Sequence, residues 1–290
     1  MPIEFGASID PSAAALPEAR RIARRADELG FEFVGIQDHP YQRRFLDTWM
    51  LIATLLAETE RVRLFPNVTN LPLRGPAMIA KQAASLDVLS GGRFELGLGA
   101  GAFWEGIEAM GGPRRTPGQA VDALEEAIEI IRAFWRGDDP VRVRGRFYSI
   151  DGLKPGPRPA HPIELWVGAY KPRMLALTGR RADGWIPSLG YLPPDAVPEA
   201  RGRVDEAARA AGRDPSEIRR LYNLGGTITD GPVQELLAGP PWHWIEELTR
   251  FNVELGFDTF VFWPREDPVA QLERFAQEVA PGVREAVQKS

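Results

Sequence analysis

The chain has 290 residues, 44% of them hydrophobic, enough to bury a large core as two ordinary domains or as one α/β barrel. Its 35 Lys and Arg against 40 Asp and Glu leave a net charge of −5, so no broad attraction for nucleic-acid backbones or anionic lipid is expected. With no cysteine in the chain, disulfides, thiolate metal sites and a cysteine nucleophile are excluded.

The first ten residues, MPIEFGASID, carry acidic residues early and lack the basic segment and long apolar stretch of a signal peptide, so Ile3–Ser8 reads as a first strand. Helix one is expected over Pro17–Leu29, with Ala19, Ile22, Ala23, Ala26 and Leu29 on one face and Gly30 as its stop. Strand Phe33–Gln37, helix Thr48–Glu58 and strand Val62–Asn67 follow. Helix Pro76–Leu89 closes on Gly91-Gly92, and strand Phe94–Gly99 precedes a helix over Pro117–Arg136. The longest apolar stretch, Met50–Ala57, falls far short of the roughly 20 residues that span a bilayer, so a cytoplasmic protein with no membrane partner is expected.

Across Gly137–Pro162 the rhythm breaks in a segment dense in Pro, Gly and Arg, whose VRVRGRFYSI piece has the pattern of a small hairpin. Strands are then expected at Ile163–Gly168, Gly184–Pro187, Leu221–Thr227 and Thr259–Trp263. Four βα units on each side of an insertion at about 137–162, with no linker composition between them, predict one (β/α)8 TIM barrel spanning 1–290 as a single domain. A doubly wound nucleotide-binding fold would need a glycine fingerprint after the first strand, which GASIDPS does not supply.

A barrel gathers its chemistry on the loops after its strands. Those ends hold glycine, aromatic and amide groups and few His or carboxylate clusters, so a catalytic metal is not expected, whereas a flat organic cofactor is. Of the histidines His39, His161 and His243, only His39 directly follows a strand. Asp38 stands beside it, as a group that would orient the ring or as a surface carboxylate. Gly168-Ala169-Tyr170-Lys171-Pro172 places glycine at a strand end and proline in a first helical turn, which exposes backbone N–H groups to an anion; Lys171 or Arg173 would add charge, and Gly225-Gly226 offers a second such place. Trp166, Trp185 and Trp263 lie on three strands, and alternation leaves open which of them face the pocket and which pack under helices.

Three segments, EFVGIQDHP, FPNVTNLPLRGPAMIAKQAASLDVLSGGRFELGLGAG and ELWVGAYKPRMLALTGRRADGWIP, together resemble the bacterial luciferase-like superfamily of flavin- and F420-dependent oxidoreductases. The resemblance runs over nearly the whole chain and is strongest to the coenzyme F420-dependent branch, with FMN-dependent monooxygenases sharing much of the pattern. It implies a non-proline cis peptide at Asn67-Val68 that, with Thr69, backs the cofactor ring. It implies further cofactor contacts from Gly99, Ala100 and Gly101 and from Gly168, Ala169 and Tyr170, the last group toward the phosphate-bearing tail. His39 would face the reactive side of the cofactor as its catalytic proton donor or hydrogen-bond partner, with Asp38 as its catalytic neighbour, and an imidazole titrating near neutrality suits either role. Phe103, Trp104 and Glu105 begin a loop expected over the substrate, which Trp185 and Trp263 are also candidates to touch.

The sequence departs from the sugar-phosphate dehydrogenases of that branch in having Ala102 where they carry a catalytic glutamate, and in having Arg43 near the place of a tryptophan. Sugar-phosphate oxidation is therefore not expected. The leading expectation is hydride transfer between coenzyme F420 and a small organic substrate. The alternatives are an FMN-dependent monooxygenase served by a separate flavin reductase, and a non-catalytic ligand-binding barrel. The resemblance also implies a homodimer, with which the Ala-rich helix faces are compatible.

Overall fold

The computed structural model describes residues 2–137 and 139–289, so Asp138 of the expected insertion lies outside the described residues. In chain order the elements are β1 (Glu4–Ile9), α1 (Leu16–Leu29), β2 (Phe33–Ile36), α2 (Thr48–Ala57), β3 (Arg63–Pro66), β4 (Thr69–Asn70), α3 (Pro76–Ser90), β5 (Leu96–Gly99), α4 (Trp104–Ala109) and α5 (Pro117–Arg136). There follow β6 (Val141–Arg144), β7 (Ser149–Leu153), β8 (Leu165–Val167), α6 (Pro172–Arg181), β9 (Gly184–Trp185), α7 (Val197–Ala210), β10 (Arg219–Ile228), β11 (Ala238–Gly239), α8 (Pro241–Val253), β12 (Thr259–Pro264), α9 (Pro268–Arg274) and α10 (Ala280–Gln288).

The strands pair in the order β3-β2-β1-β12-β10-β9-β8-β5-β4, and every neighbouring pair along this path is parallel. Leu64 of β3 closes the ring onto the approach to β5: its N–H donates to the Arg93 carbonyl at 3.0 Å, and its carbonyl accepts from Glu95 N–H at 3.1 Å. β3 and β4 are therefore one stave, broken in the middle. This is the expected TIM barrel, with β6 and β7 forming the expected antiparallel hairpin outside it. No helix of the described residues is long and apolar enough to cross a membrane.

The outer helices follow their sequence signals. α1 buries Ala19, Ile22, Ala23 and Ala26 and ends where Gly30 takes φ 78°, a left-handed turn that glycine enters without a Cβ clash. α5 begins with a reciprocal capping box between Thr116 and Gln119.

Side chains fill the barrel interior in layers. At the amino ends of the strands runs a chain of ion pairs, in which Arg219 joins Glu164 to Glu4, and Arg63 joins Glu4 to Glu95. His161 then bridges Glu95 (Nε2 to Oε1, 3.2 Å) and the fully buried Asp87 (Nδ1 to Oδ1, 2.6 Å). Above this layer lie Phe33, Phe65 and Trp166, with Trp166 edge-on to Phe65 at 4.9 Å and to Phe33 at 5.2 Å. Arg63 caps the Phe33 ring from the charged side at 4.1 Å. Val68 packs on top of the aromatic layer and forms the floor of a cavity at the carboxyl end.

Hydrogen bonds to Asp87 and then Glu95 push His161 up to about 10. Its ordinary unfolded value is about 6.5, so its contribution to stability is complete below that pH and is lost as pH rises through the folded value. Replacing His161 by Gln should cost about 2–3 kcal/mol at pH 6.5, since the buried Asp87 carboxylate loses its cation. Chemical denaturation at a series of pH values should show this cost shrinking steadily toward pH 10; a constant difference would remove the charge from the explanation.

Candidate active site

The third stave is interrupted by the Asn67–Val68 peptide, which is cis, as the resemblance implies. Before it, β3 pairs with β2; after it, β4 pairs with β5, matching Thr69 with Leu98 and Asn70 with Gly99. The Val68 side chain needs space between the neighbouring staves, and glycines provide it. A Cβ on Gly99 would stand 2.8 Å from a Val68 methyl, one on Gly168 3.4 Å, and one on Gly97 3.1 Å from Val68 and 2.1 Å from the Pro66 carbonyl oxygen. The strand-end glycines, expected to admit the cofactor, thus first of all admit the valine.

A cavity of about 660 Å³ lies above this floor. Its wall includes Asp38, His39, Asn67, Val68, Thr69, Gly99, Ala100, Gly101, Phe103, Gly168, Tyr170 and Trp263 among the expected residues. An amide belt crosses it: Asn67 Nδ2 donates to Asn223 Oδ1 at 2.7 Å, Asn223 Nδ2 to Ser188 Oγ at 3.1 Å, and Ser188 N–H to the Tyr170 hydroxyl at 3.1 Å. Two buried wall atoms, Thr69 Oγ1 and Asn70 Oδ1, have no hydrogen-bond partner. Buried polar atoms without a partner are costly, so these two mark places where a ligand's polar edge fits.

The structure separates His39 from Asp38. The Asp38 side chain is wholly buried and both its oxygens are engaged, Oδ2 by Asn70 N–H (3.0 Å) and Arg74 Nε (3.1 Å) and Oδ1 by Arg74 Nη2 (3.1 Å). It ties β4 to Arg74 and makes no hydrogen bond to His39, contrary to the expectation that it orients the ring. The partner of His39 is Tyr41, whose hydroxyl lies 2.6 Å from Nδ1. Burial holds His39 below its usual value, the Asp38 charge opposing, and burial beside Asp38 pushes Tyr41 up to about 12. Both groups are neutral near pH 7.

Other expected positions fall outside the cavity. Trp185 is fully buried in the outer core against Phe257, and its Nε1 donates to the Ala169 carbonyl, so neither residue lines the wall. Trp104 packs over Gly101, its Cη2 2.9 Å from where a Cβ would stand, and Glu105 points to solvent on α4, a helix where a loop was expected. Arg173 pairs with Asp122, leaving Lys171 as the wall's cation. Neither Gly225 nor Gly226 lines the cavity: Gly226 is packed against Leu237 and Trp244, and Gly225 lies toward Arg265 and Trp263. Trp263 is 41% exposed at the rim beside Phe103 (60%) and Tyr191 (73%), whereas Trp166 belongs to the barrel interior. Sequence reading placed Ser188 at a strand end without a role and missed Tyr41, Arg74, Tyr191 and Asn223; for these four the one available signal was Asn223, a polar residue inside the apolar run LYNLG.

A profile of the luciferase-like monooxygenase family matches residues 1–236. The chain belongs to that family. It is 32% identical over 269 residues to a protein of uncharacterised function from Mycobacterium tuberculosis, covering 87% of each chain. It is also 38% identical over 178 residues to the phthiodiolone/phenolphthiodiolone dimycocerosates ketoreductase of the same species, a match over 59% of this chain and 45% of the ketoreductase. Among solved structures, an F420-dependent secondary alcohol dehydrogenase in complex with an F420-acetone adduct superposes with TM-score 0.84 at 20% identity, covering 98% of this chain and 99% of the other. A monooxygenase from Streptomyces bottropensis superposes with TM-score 0.84 at 20% identity, covering 96% of this chain and 99% of the other. At these identities the two structures share the fold.

The glycine seat can be tested directly. Gly97→Ala drives a methyl into the Pro66 carbonyl, which is backbone and has little freedom to yield, and should cost about 1–3 kcal/mol in urea denaturation. Gly190→Ala, where nothing lies within 4 Å, should change stability by less than about 0.5 kcal/mol.

Proposed function

We propose that this protein is an oxidoreductase that binds coenzyme F420 on the Val68 floor and transfers hydride to the carbonyl carbon, or from the carbinol carbon, of a small, uncharged, largely apolar substrate. The observation carrying this reading is the cavity itself: a bulge-floored, carboxyl-end pocket with unpartnered Thr69 and Asn70 oxygens and a neutral His39 on its wall. The volume suits a tricyclic ring and a small substrate together. The ketoreductase and alcohol-dehydrogenase chemistry of the similar proteins supports the carbonyl–alcohol assignment.

The residues divide the work. Val68 and the chain through Asn70 would hold the ring, and Lys171, at the first turn of α6, is assigned to the phosphate-bearing tail. When bound, the deazaflavin supplies the hydride-carrying carbon. In the reducing direction His39 would give the proton of its free ring nitrogen to the substrate oxygen as Nδ1 takes the hydroxyl proton of Tyr41, 2.6 Å away, and oxidation would run the same transfer in reverse. The apolar surfaces of Phe103, Tyr191 and Trp263 on the cavity wall favour an apolar substrate body.

The family's description as luciferase-like monooxygenases supports a second reading, in which FMN reduced by a separate reductase activates oxygen in the same cavity. Spectroscopic titration with oxidised F420 and FMN separates the two. The proposal expects micromolar binding of F420; binding of FMN alone, with substrate-linked oxygen uptake, would replace it by the second reading. With F420 and a turned-over ketone, His39→Ala should lower kcat by about 10²-fold or more while F420 binds within about threefold of wild type.

A further inference from the structure

We propose that Tyr41 is a positioning residue that locks His39 in the tautomer carrying its proton on Nε2, so that His39 meets the substrate oxygen as an N–H donor. The inference deepens the role given to His39 above and rests on that reading for its catalytic meaning, though not for the tautomer itself.

The geometry carries the argument. The Tyr41 hydroxyl and His39 Nδ1 are 2.6 Å apart, and neither group has another hydrogen-bond partner among the described residues. One of the two must donate. A phenol hydroxyl is a far better donor than a neutral imidazole N–H, and an unprotonated imidazole nitrogen is a far better acceptor than a phenol oxygen. The pair therefore forms as O–H to Nδ1, which leaves the ring proton on Nε2.

The carboxylate next in sequence does not compete. Both Asp38 oxygens are committed to Arg74 and the Asn70 N–H, so neither pulls the proton toward Nδ1. Burial keeps both rings uncharged near pH 7, so the pair is not an ion pair. Nε2 is left without a protein partner on a residue that lines the cavity.

Tyr41 is itself held in place. Its ring lies on Gly106 of α4, where a Cβ would approach Tyr41 Cγ to 2.7 Å, and Phe103 stands edge-on to His39 at 5.5 Å and tilted to Tyr41 at 6.1 Å. The short helix beside the cavity mouth thus controls the tyrosine, and through it the histidine. A side chain at position 106 would displace the Tyr41 ring from the position that places its hydroxyl 2.6 Å from Nδ1.

The test is nitrogen NMR of 15N-histidine-labelled protein near pH 7.5 without any cofactor, with the His39 signals assigned by their loss in His39→Asn. Wild type should show Nδ1 as the bare, pyridine-type nitrogen and Nε2 as the protonated one. Tyr41→Phe should shift the signals toward a tautomer mixture, and Gly106→Ala should shift them in the same direction by displacing the intact phenol. A wild-type protein with the proton on Nδ1, or a Tyr41→Phe spectrum identical to wild type, would overturn the proposal. In turnover, Tyr41→Phe should lower kcat about tenfold with KM within about twofold; a raised KM with unchanged kcat would reduce Tyr41 to a substrate contact. Failure of F420 to bind would sink the functional reading and leave the NMR result standing.

Discussion

The close packing of Val68 against glycines of two neighbouring staves is the constraint on which the rest of the site depends. A side chain at Gly97 or Gly99 would fill the space the valine uses, and the break between β3 and β4 would lose its seat. With the seat in place, β4 leaves β2 for β5, and the wall oxygens of Thr69 and Asn70 come to rest beside the cavity. Asp38 fastens this arrangement from the second stave by engaging the Asn70 N–H and Arg74 together. Cavity, floor and polar wall atoms are thus one packing solution.

Charge is distributed along the barrel axis in a way that suits a neutral reaction. The interior ion pairs sit at the amino ends of the strands, where carboxylates and guanidinium groups satisfy one another and are shielded from the cavity by Phe33, Phe65 and Trp166. At the carboxyl end the buried carboxylate is already paired, His39 and Tyr41 are held uncharged by burial, and Lys171 supplies the wall's positive charge. Apart from Lys171, such a site offers hydrogen bonds and apolar contact in preference to full charges.

Much of this was legible in the sequence because barrel strands are buried on both faces and read as short apolar runs. All eight expected strands overlap observed ones, and the bulge falls at Asn67-Val68. What was not legible depends on contacts between distant residues. Asp38 and His39 are neighbours in sequence, yet one bonds Arg74 and the other Tyr41, and nothing in DHPYQ reveals that division. Trp185 and Trp263 both lie on barrel strands, but only the three-dimensional phase of each strand sends one into the outer core and the other to the rim. The glycines of GLGAG were visible as close-approach positions; that the approaching group is first a valine of the same chain required the fold.

On the function proposed above, Val68 and its glycine seat form the surface on which a flat tricyclic cofactor rests. A crystal structure of the protein with oxidised coenzyme F420 tests it most directly. The ring system is expected against Val68, with polar ring atoms within hydrogen-bond reach of Thr69 Oγ1 or Asn70 Oδ1. A ring bound elsewhere, for example in the basic cleft formed by Arg132, Trp135 and Arg136 near the start of β9, would contradict it.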